Sequence, residues 1–333
     1  MPCTKSDLSD LPHHFSTSEF CVKTVKYVIL MRLEKSVPLD GSKTAEMVLP
    51  NVVRLARESK SKVVLLTVDA PSLDSRKAGP SWSNMGDALA TLERPDAQMK
   101  AYMDSAAGML AGMGVEATTV TVTGEAAEEI LAYAADNGCD LIAMSTRGRS
   151  ALKRGLMGSV TDAVVRASKV PVLAVGPKTV EGKDLDGAIR SVAVPLDGSE
   201  MAETVLPHVE KLARLLSLEV VLLRVVRMVP WVYGAHERVP MDTTEIEEAM
   251  ELEAKEYLIT VADRFTAKGI SCRTEVLHGV PWDKIVNFSA TTNDMMVAIS
   301  THGRSGITRL VLGSVADMLI RSLETPVLVV RPL

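Results

Sequence analysis

Along most of this chain, unbroken apolar runs alternate with stretches of helical periodicity. Lys62 to Val68 and Glu219 to Val226 are nearly continuous apolar runs, the pattern of strands covered on both faces. Val115 to Val122, Leu141 to Ser145 and Val170 to Val175 follow the first run. Ile270 to Leu277, Met295 to Ser300 and Val327 to Val330 follow the second. Helical stretches such as Ala126 to Ala135 and Thr243 to Phe265 lie between them. Strands alternating with helices predict parallel pairing, right-handed crossovers and a doubly wound sheet. A long loop is expected after each second strand, over 70–95 and 228–242. Such loops are either lids over a site or surface insertions.

The two sets of elements are copies of one another. Val37-Pro38-Leu39-Asp40-Gly41-Ser42 returns as Val194-Pro195-Leu196-Asp197-Gly198-Ser199, 157 residues later. Ser145-Thr146-Arg147-Gly148-Arg149-Ser150 returns as Ser300-Thr301-His302-Gly303-Arg304-Ser305, 155 residues later. Without gaps, 145–175 and 300–330 agree at 15 of 31 positions, so a whole domain is duplicated in tandem. The expected fold is α/β: two tandem doubly wound, Rossmann-like domains, each a five-stranded parallel sheet with helices on both faces. Domain 1 is placed at 31–177, a Gly-, Lys- and Asp-rich linker at 178–189, and domain 2 at 190–333. The first strand of copy one is the weaker, since Lys35 and Ser36 stand where copy two has Val192 and Ala193. The last strands, 171–175 and 326–330, are apolar sheet edges that invite pairing. An internal pseudo-dimer is expected from them, with room for further homodimerisation. Residues 1–30 have no counterpart in copy two and are read as an extension outside the core.

Composition narrows the function. The chain has 333 residues, a formal charge of −5 and only 4% aromatic residues. That argues against a nucleic-acid binder, which needs a basic face or stacking platform. No apolar run near the start approaches the ~20 residues of a membrane span, and no signal peptide is recognised. Cys3, Cys21, Cys139 and Cys272 form no close pair, which is reduced, cytoplasmic usage. No metal-ligand spacing is present, no Walker A lysine, and no Ser-His-Asp or HExxH arrangement. No residue is assigned a catalytic role.

In an open parallel sheet, ligands bind beyond the carboxyl ends of the strands at the switch point. Asp40 and Asp197 fall there, as do the loops 148–159 and 303–314. Glycines in those loops permit positive φ and let backbone N–H groups approach an anion closely. Gly-Ser before an apolar helical run predicts a helix N-terminus capped by a hydroxyl, suited to phosphate. The plainer alternative is a tight turn and cap, with Asp40 an N-cap.

With these residues in view, each half resembles a universal stress protein domain. The family's nucleotide signature, G-x2-G-x9-G-[ST], is matched by Ser145-x2-Gly148-x9-Gly158-Ser159 and Ser300-x2-Gly303-x9-Gly313-Ser314. Serine replaces the first glycine in both copies, which would be strained if that position needs φ > 0. The resemblance implies that Asp40 and Asp197 meet the adenosine part of ATP, and that the backbones of Val68 and Val225 face adenine. It puts Met144 with Ser145, and Ile299 with Ser300, on the ribose side. Gly148, Gly158, Ser159 and Val160 would bind phosphates in one copy; Gly303, Gly313, Ser314 and Val315 would do so in the other. The implied cofactor is ATP, with or without Mg, in a protein of the stress response. The rival reading is a tandem interaction module with degenerate pockets that binds no nucleotide.

Overall fold

The computed structural model describes residues 34–36, 48–69, 85–146, 157–176, 189–227, 244–292, 294–303, 312–323 and 325–332. The expected extension over 1–30, residues 178–188 of the linker, the loop 228–242, Asp40 and Gly148 lie outside them. The first half runs β1 (Glu34–Ser36), α1 (Leu49–Ser59), β2 (Lys62–Asp69), α2 (Met85–Gly112), β3 (Ala117–Thr123), α3 (Ala126–Asp136), β4 (Ile142–Ser145), α4 (Ser159–Ala167) and β5 (Val172–Val175). The second half runs β6 (Ser191–Pro195), α5 (Glu200–Glu203), α6 (Leu206–Leu216), β7 (Glu219–Val226), α7 (Thr244–Thr266), β8 (Cys272–His278), α8 (Pro281–Ser289), β9 (Met295–Ser300), α9 (Ser314–Ser322) and β10 (Val327–Val330).

The repeated Leu-Pro pair explains itself in α1 and α6. Each helix carries its proline in the first turn, where a missing N–H costs nothing and the fixed φ favours helix. Each ends on a left-handed residue, Lys60 at φ 49° and Ser217 at φ 52°. Leu49, Val52 and Leu55 of α1, and Leu206, Val209 and Leu216 of α6, are buried.

In the second half the strands form a parallel sheet in the order β10-β9-β6-β7-β8. In the first half, β1-β2-β3 pair as one parallel group and β4 pairs with β5 as another. The expected five-stranded sheet is therefore complete only in the second half among the described residues. The cause is local. Glu34, Lys35 and Ser36 occupy the strand that in β6 is Ser191, Val192 and Ala193, and β6 bridges β7 and β9 through those apolar residues. A second expectation is also corrected: residues 85–95 of the supposed first loop open α2. Pro95 lies inside this helix, where a proline costs about 3 kcal/mol. Burial of Met103, Ala106 and Leu110 farther along the helix anchors it to the sheet.

One antiparallel pairing joins the halves, β5 with β10, through Val172↔Val329, Leu173↔Leu328 and Ala174↔Val327. The result is a mixed sheet whose two faces are each covered by one core. α1, α2, α6 and α7 close one face, with Leu65, Leu110, Leu222 and Leu258 fully buried beneath them. α3, α4, α8 and α9 close the other, over Leu66, Ile130, Leu223 and Leu319. Both cores draw side chains from both halves. Each such leucine is worth about 2–3 kcal/mol of burial. Across the join, α4 and α9 exchange charges reciprocally. Arg166 holds Asp162 at 2.8 Å and reaches Asp317 at 3.6 Å; Arg321 holds Asp317 at 2.8 Å and reaches Asp162 at 3.7 Å.

Candidate functional site

The switch point of the second half lies between β6, whose chain continues to one face, and β9, whose chain continues to the other. A crevice opens where their carboxyl ends part. The last rung between β6 and β7 is the Leu196 amide donating to the Leu223 carbonyl at 2.8 Å. After it the chain turns through Gly198, at φ 83°. One oxygen of Asp197 accepts from the Ser199 amide at 3.0 Å and the Ser199 hydroxyl at 2.6 Å. The Ser199 hydroxyl in turn accepts from the Ala202 amide and caps α5. The other Asp197 oxygen is aimed at Gly303, and a Cβ there would run into it. Glycine at 303 thus serves the close approach of the carboxylate.

The loop after β9 has both feet tied to one residue. The Thr301 amide donates to the Val330 carbonyl at 2.8 Å, and the Gly313 amide donates to the Thr301 carbonyl at 2.8 Å. Gly313 then starts α9, whose first-turn N–H groups have no partner within the helix and lie at its positive end. A Cβ on Gly313 would stand 3.1 Å from the Thr301 carbonyl, tighter than side chains normally pack. Behind the loop, the Thr204 hydroxyl reaches the Ser300 hydroxyl at 3.4 Å, and His302 Nδ1 meets the Thr301 hydroxyl at 2.8 Å. Leu223 directs its carbonyl to β6, and alternate strand residues share that direction. Val225 therefore turns its backbone edge the same way, past the point where β6 has left the sheet. Ile299 is buried and Ser300 half-buried beside it.

The first half repeats the loop anchors: Thr146 amide to Val175 carbonyl at 2.9 Å, and Gly158 amide to Thr146 carbonyl at 2.8 Å. Gly158 has more room, its Cβ position lying 3.5 Å from that carbonyl. Thr161 of α4 donates to the Ser145 carbonyl at 3.0 Å, a bond that Ala316 cannot make in α9. Val68, Met144 and Ser145 are buried, while Ser159 is exposed at the helix start and Val160 half-buried. In the second half Ser314 and Val315 stand likewise.

Three expectations need correcting. Gly158 and Gly313 take extended angles, φ −62° and −58°, and Gly303 is not left-handed either, so space rather than positive φ explains them. Ser145 and Ser300 are strand residues, so serine in place of the signature's first glycine brings no backbone strain. Ser159 and Ser314 are not caps: Gly158 and Gly313 hold the cap positions, without a side-chain bond.

Sequence reading missed the second layer. Arg224 of β7 is inward-facing, its side chain only 11% exposed, 3.8 Å from Glu253 and stacked 5.3 Å over the Tyr257 ring. Its guanidinium lies against Gly198, where any side chain would strike it. Tyr257 donates to Glu203 at 2.9 Å, and Arg264 grips the other Glu203 oxygen at 2.7 Å. Burial, then the Glu203 bond, push the Tyr257 phenol well above its ordinary range. The signal was visible in principle, as one charged residue inside an apolar strand. Among the described residues, no three His, Cys, Asp or Glu side chains converge as a metal site, and no helix is long and apolar enough to cross a membrane.

Comparison with known proteins bears on the family and the fold. The sequence profile described as the universal stress protein family matches twice, over residues 36–176 and 188–331. A universal stress protein of Methanocaldococcus jannaschii is 31% identical over 146 residues, 43% of this chain and 82% of that protein. A universal stress protein of Mycolicibacterium smegmatis is 25% identical over 301 residues, 89% of this chain and 96% of that protein. The crystal structure of a universal stress protein from Archaeoglobus fulgidus has the same fold. It covers 90% of this chain and 98% of its own, at 19% identity and a TM-score of 0.64.

Proposed function

The chain belongs to the universal stress protein family, and on that premise we propose that it is a tandem nucleotide-binding regulator of the stress response, holding ATP in each half. The observation that carries this reading is the approach of Asp197 to Gly303 beside the open start of α9. A carboxylate there accepts from ribose hydroxyls, while the Gly303 and Gly313 loop and the first-turn amides of α9 receive phosphate. The Val225 backbone edge offers one donor and one acceptor to adenine. In the first half, Val68, Met144, Ser145, Gly158, Ser159 and Val160 take the same parts, with Asp40 and Gly148 completing the set. ATP supplies charge and shape as a signal; the chain's own residues bind and orient it. A Mg ion would draw most of its oxygen ligands from the phosphates, as Mg sites commonly do. The setting we propose is cytoplasmic.

The test is mass spectrometry of ligand released from freshly purified protein, with calorimetric titration of ATP. Bound adenine nucleotide, and binding weakened by Asp197→Ala or Gly313→Val, is the expected result. Unchanged affinity in both variants would remove the site assignment. Protein that is empty and silent to ATP would favour an interaction module instead.

A further inference from the structure

The two halves differ sharply where the second strand reaches the crevice. Thr67 and Asp69 of β2 occupy the positions of Arg224 and Val226 in β7, each pair flanking the valine whose backbone edge faces the site. Thr67 is buried, and its hydroxyl has no hydrogen-bond partner among the described residues. In its place the second half carries a guanidinium pressed against the Asp197–Gly198 turn. The charges packed around that guanidinium do not undo the difference. Asp197 and Glu203 have counterparts in Asp40 and Glu46, Glu253 replaces Gln98, and Arg264 replaces Met109. At these positions and at those of Thr67 and Asp69, one acid is lost, one is gained and two cations are added going from the first half to the second. Elsewhere along the chain the sequence runs the other way, His302 and Thr308 replacing Arg147 and Lys153, and Glu200 replacing Lys43. Glu253 and Arg264 are largely solvated, at 72% and 53% exposure, so water and salt screen them. Arg224 is the one inside.

A carboxylate that receives ribose hydroxyls repels the phosphates of the same ligand. A buried cation under that carboxylate cancels the repulsion without occupying the pocket. We infer that Arg224 is the specificity-determining residue that suits the second site to a polyanionic ligand such as a nucleoside triphosphate, a role for which the first site, with Thr67 at that position, has no equivalent. This rests on the nucleotide reading above. Arg224 acts as a countercharge to Asp197 and not by touching phosphate.

Titrations of ATP, adenosine and inorganic tripolyphosphate test it, each site being read in a full chain whose other site is silenced by Gly158→Val or Gly313→Val. Arg224→Thr is expected to weaken ATP and tripolyphosphate at the second site on the order of tenfold at low ionic strength, and adenosine by less than about threefold. The loss shrinks at high salt, Arg224→Lys restores it, and Thr67→Arg strengthens ATP at the first site. Equal losses for ATP and adenosine, or no loss for ATP, would overturn the inference. If Arg224→Thr fails to fold, Thr67→Arg decides alone: no gain for ATP overturns it. Wild-type protein that takes tripolyphosphate but no nucleoside refutes the nucleotide reading, and the charge inference then stands or falls on the tripolyphosphate series. Protein that binds none of the three probes refutes both.

Discussion

The two halves began as the same sequence, yet they are not equally well made. β6 is Ser191-Val192-Ala193-Val194 and pairs on both sides, while β1 is Glu34-Lys35-Ser36 and pairs with β2 alone among the described residues. Around the crevice, the second half buries an arginine where the first buries a threonine. What the contrast teaches is that the two copies keep a common framework and have diverged in single residues beneath the crevice. The apolar strand runs, the Leu-Pro helix starts, the Thr-to-Gly loop anchors and the aspartate after the first strand recur in both halves; the arginine of β7 does not.

The largest test of this comparison concerns the core. Leu65 and Leu222 are equivalent, and both are fully buried in a core that both halves share. Leu65→Ala and Leu222→Ala should each cost about 2–5 kcal/mol. Thermal unfolding should show one transition moved by either substitution. Two transitions, each moved by only one of them, would show that the halves fold independently.

Next comes the approach of Asp197 to Gly303. Gly303→Ala should displace the carboxylate and lower ATP affinity at the second site about tenfold, or ~1.4 kcal/mol, with little change in thermal midpoint. Calorimetry that shows unaltered affinity would mean the carboxylate does not serve the ligand.

A double-mutant cycle on Arg166→Ala and Asp317→Ala addresses the reciprocal charges across the join. These side chains are partly buried, so a coupling of up to about 1 kcal/mol, weaker at high salt, is expected. A coupling of zero would leave the β5–β10 ladder and the cores to hold the halves together.

Acidification separates the halves more gently. His208 of α6 has Asn51 as its counterpart, and its pKa is lowered by burial first and Lys211 second, against the pull of Asp140. The folded state then prefers neutral imidazole. Stability present above pH ~6.5, the unfolded value, is lost as pH falls through the lower folded value. His208→Gln should flatten the decline of stability that sets in as pH falls below about 6.5. Denaturant melts at several pH values read this directly, and an unchanged slope would exclude His208 as the cause.

The smallest effect concerns the left-handed caps. Lys60→Gly and Ser217→Gly should each stabilise by about 0.5–1 kcal/mol, relieving a conformation unfavourable to residues with a Cβ. A loss of stability in chemical denaturation would show that the side chains are held there by contacts.

Much of the fold was legible because burial leaves a strong trace in sequence. β9 and β10 coincide with the expected runs, since both faces of those strands are covered and every position must be apolar. The start of α2 was hidden by Pro95, a residue that reads as a break wherever tertiary packing is invisible. The break between β1 and β4 was foreshadowed by Lys35, but its extent depended on pairing that one strand alone cannot report. At the crevice, the repeated Asp-Gly-Ser and Gly-Ser segments pointed to the carboxyl edge of the sheet, where Asp197-Gly198-Ser199 and Gly313-Ser314 stand. The reason for their glycines did not follow from spacing, because Gly303 answers to a carboxylate arriving from another strand. Arg224 escaped notice for the opposite reason: it sits in an apolar run and lies against a turn 26 residues away in sequence.

The antiparallel join of β5 to β10 has a consequence for how such a molecule can change. In a dimer of identical chains, every substitution is made twice, and a residue that improves one pocket is imposed on its twin. Here the partner is supplied by the same chain, permanently present and encoded separately. A change such as threonine to arginine can therefore be tried in one pocket while the other keeps its original character. One molecule can carry two differently tuned receptors under a single fold.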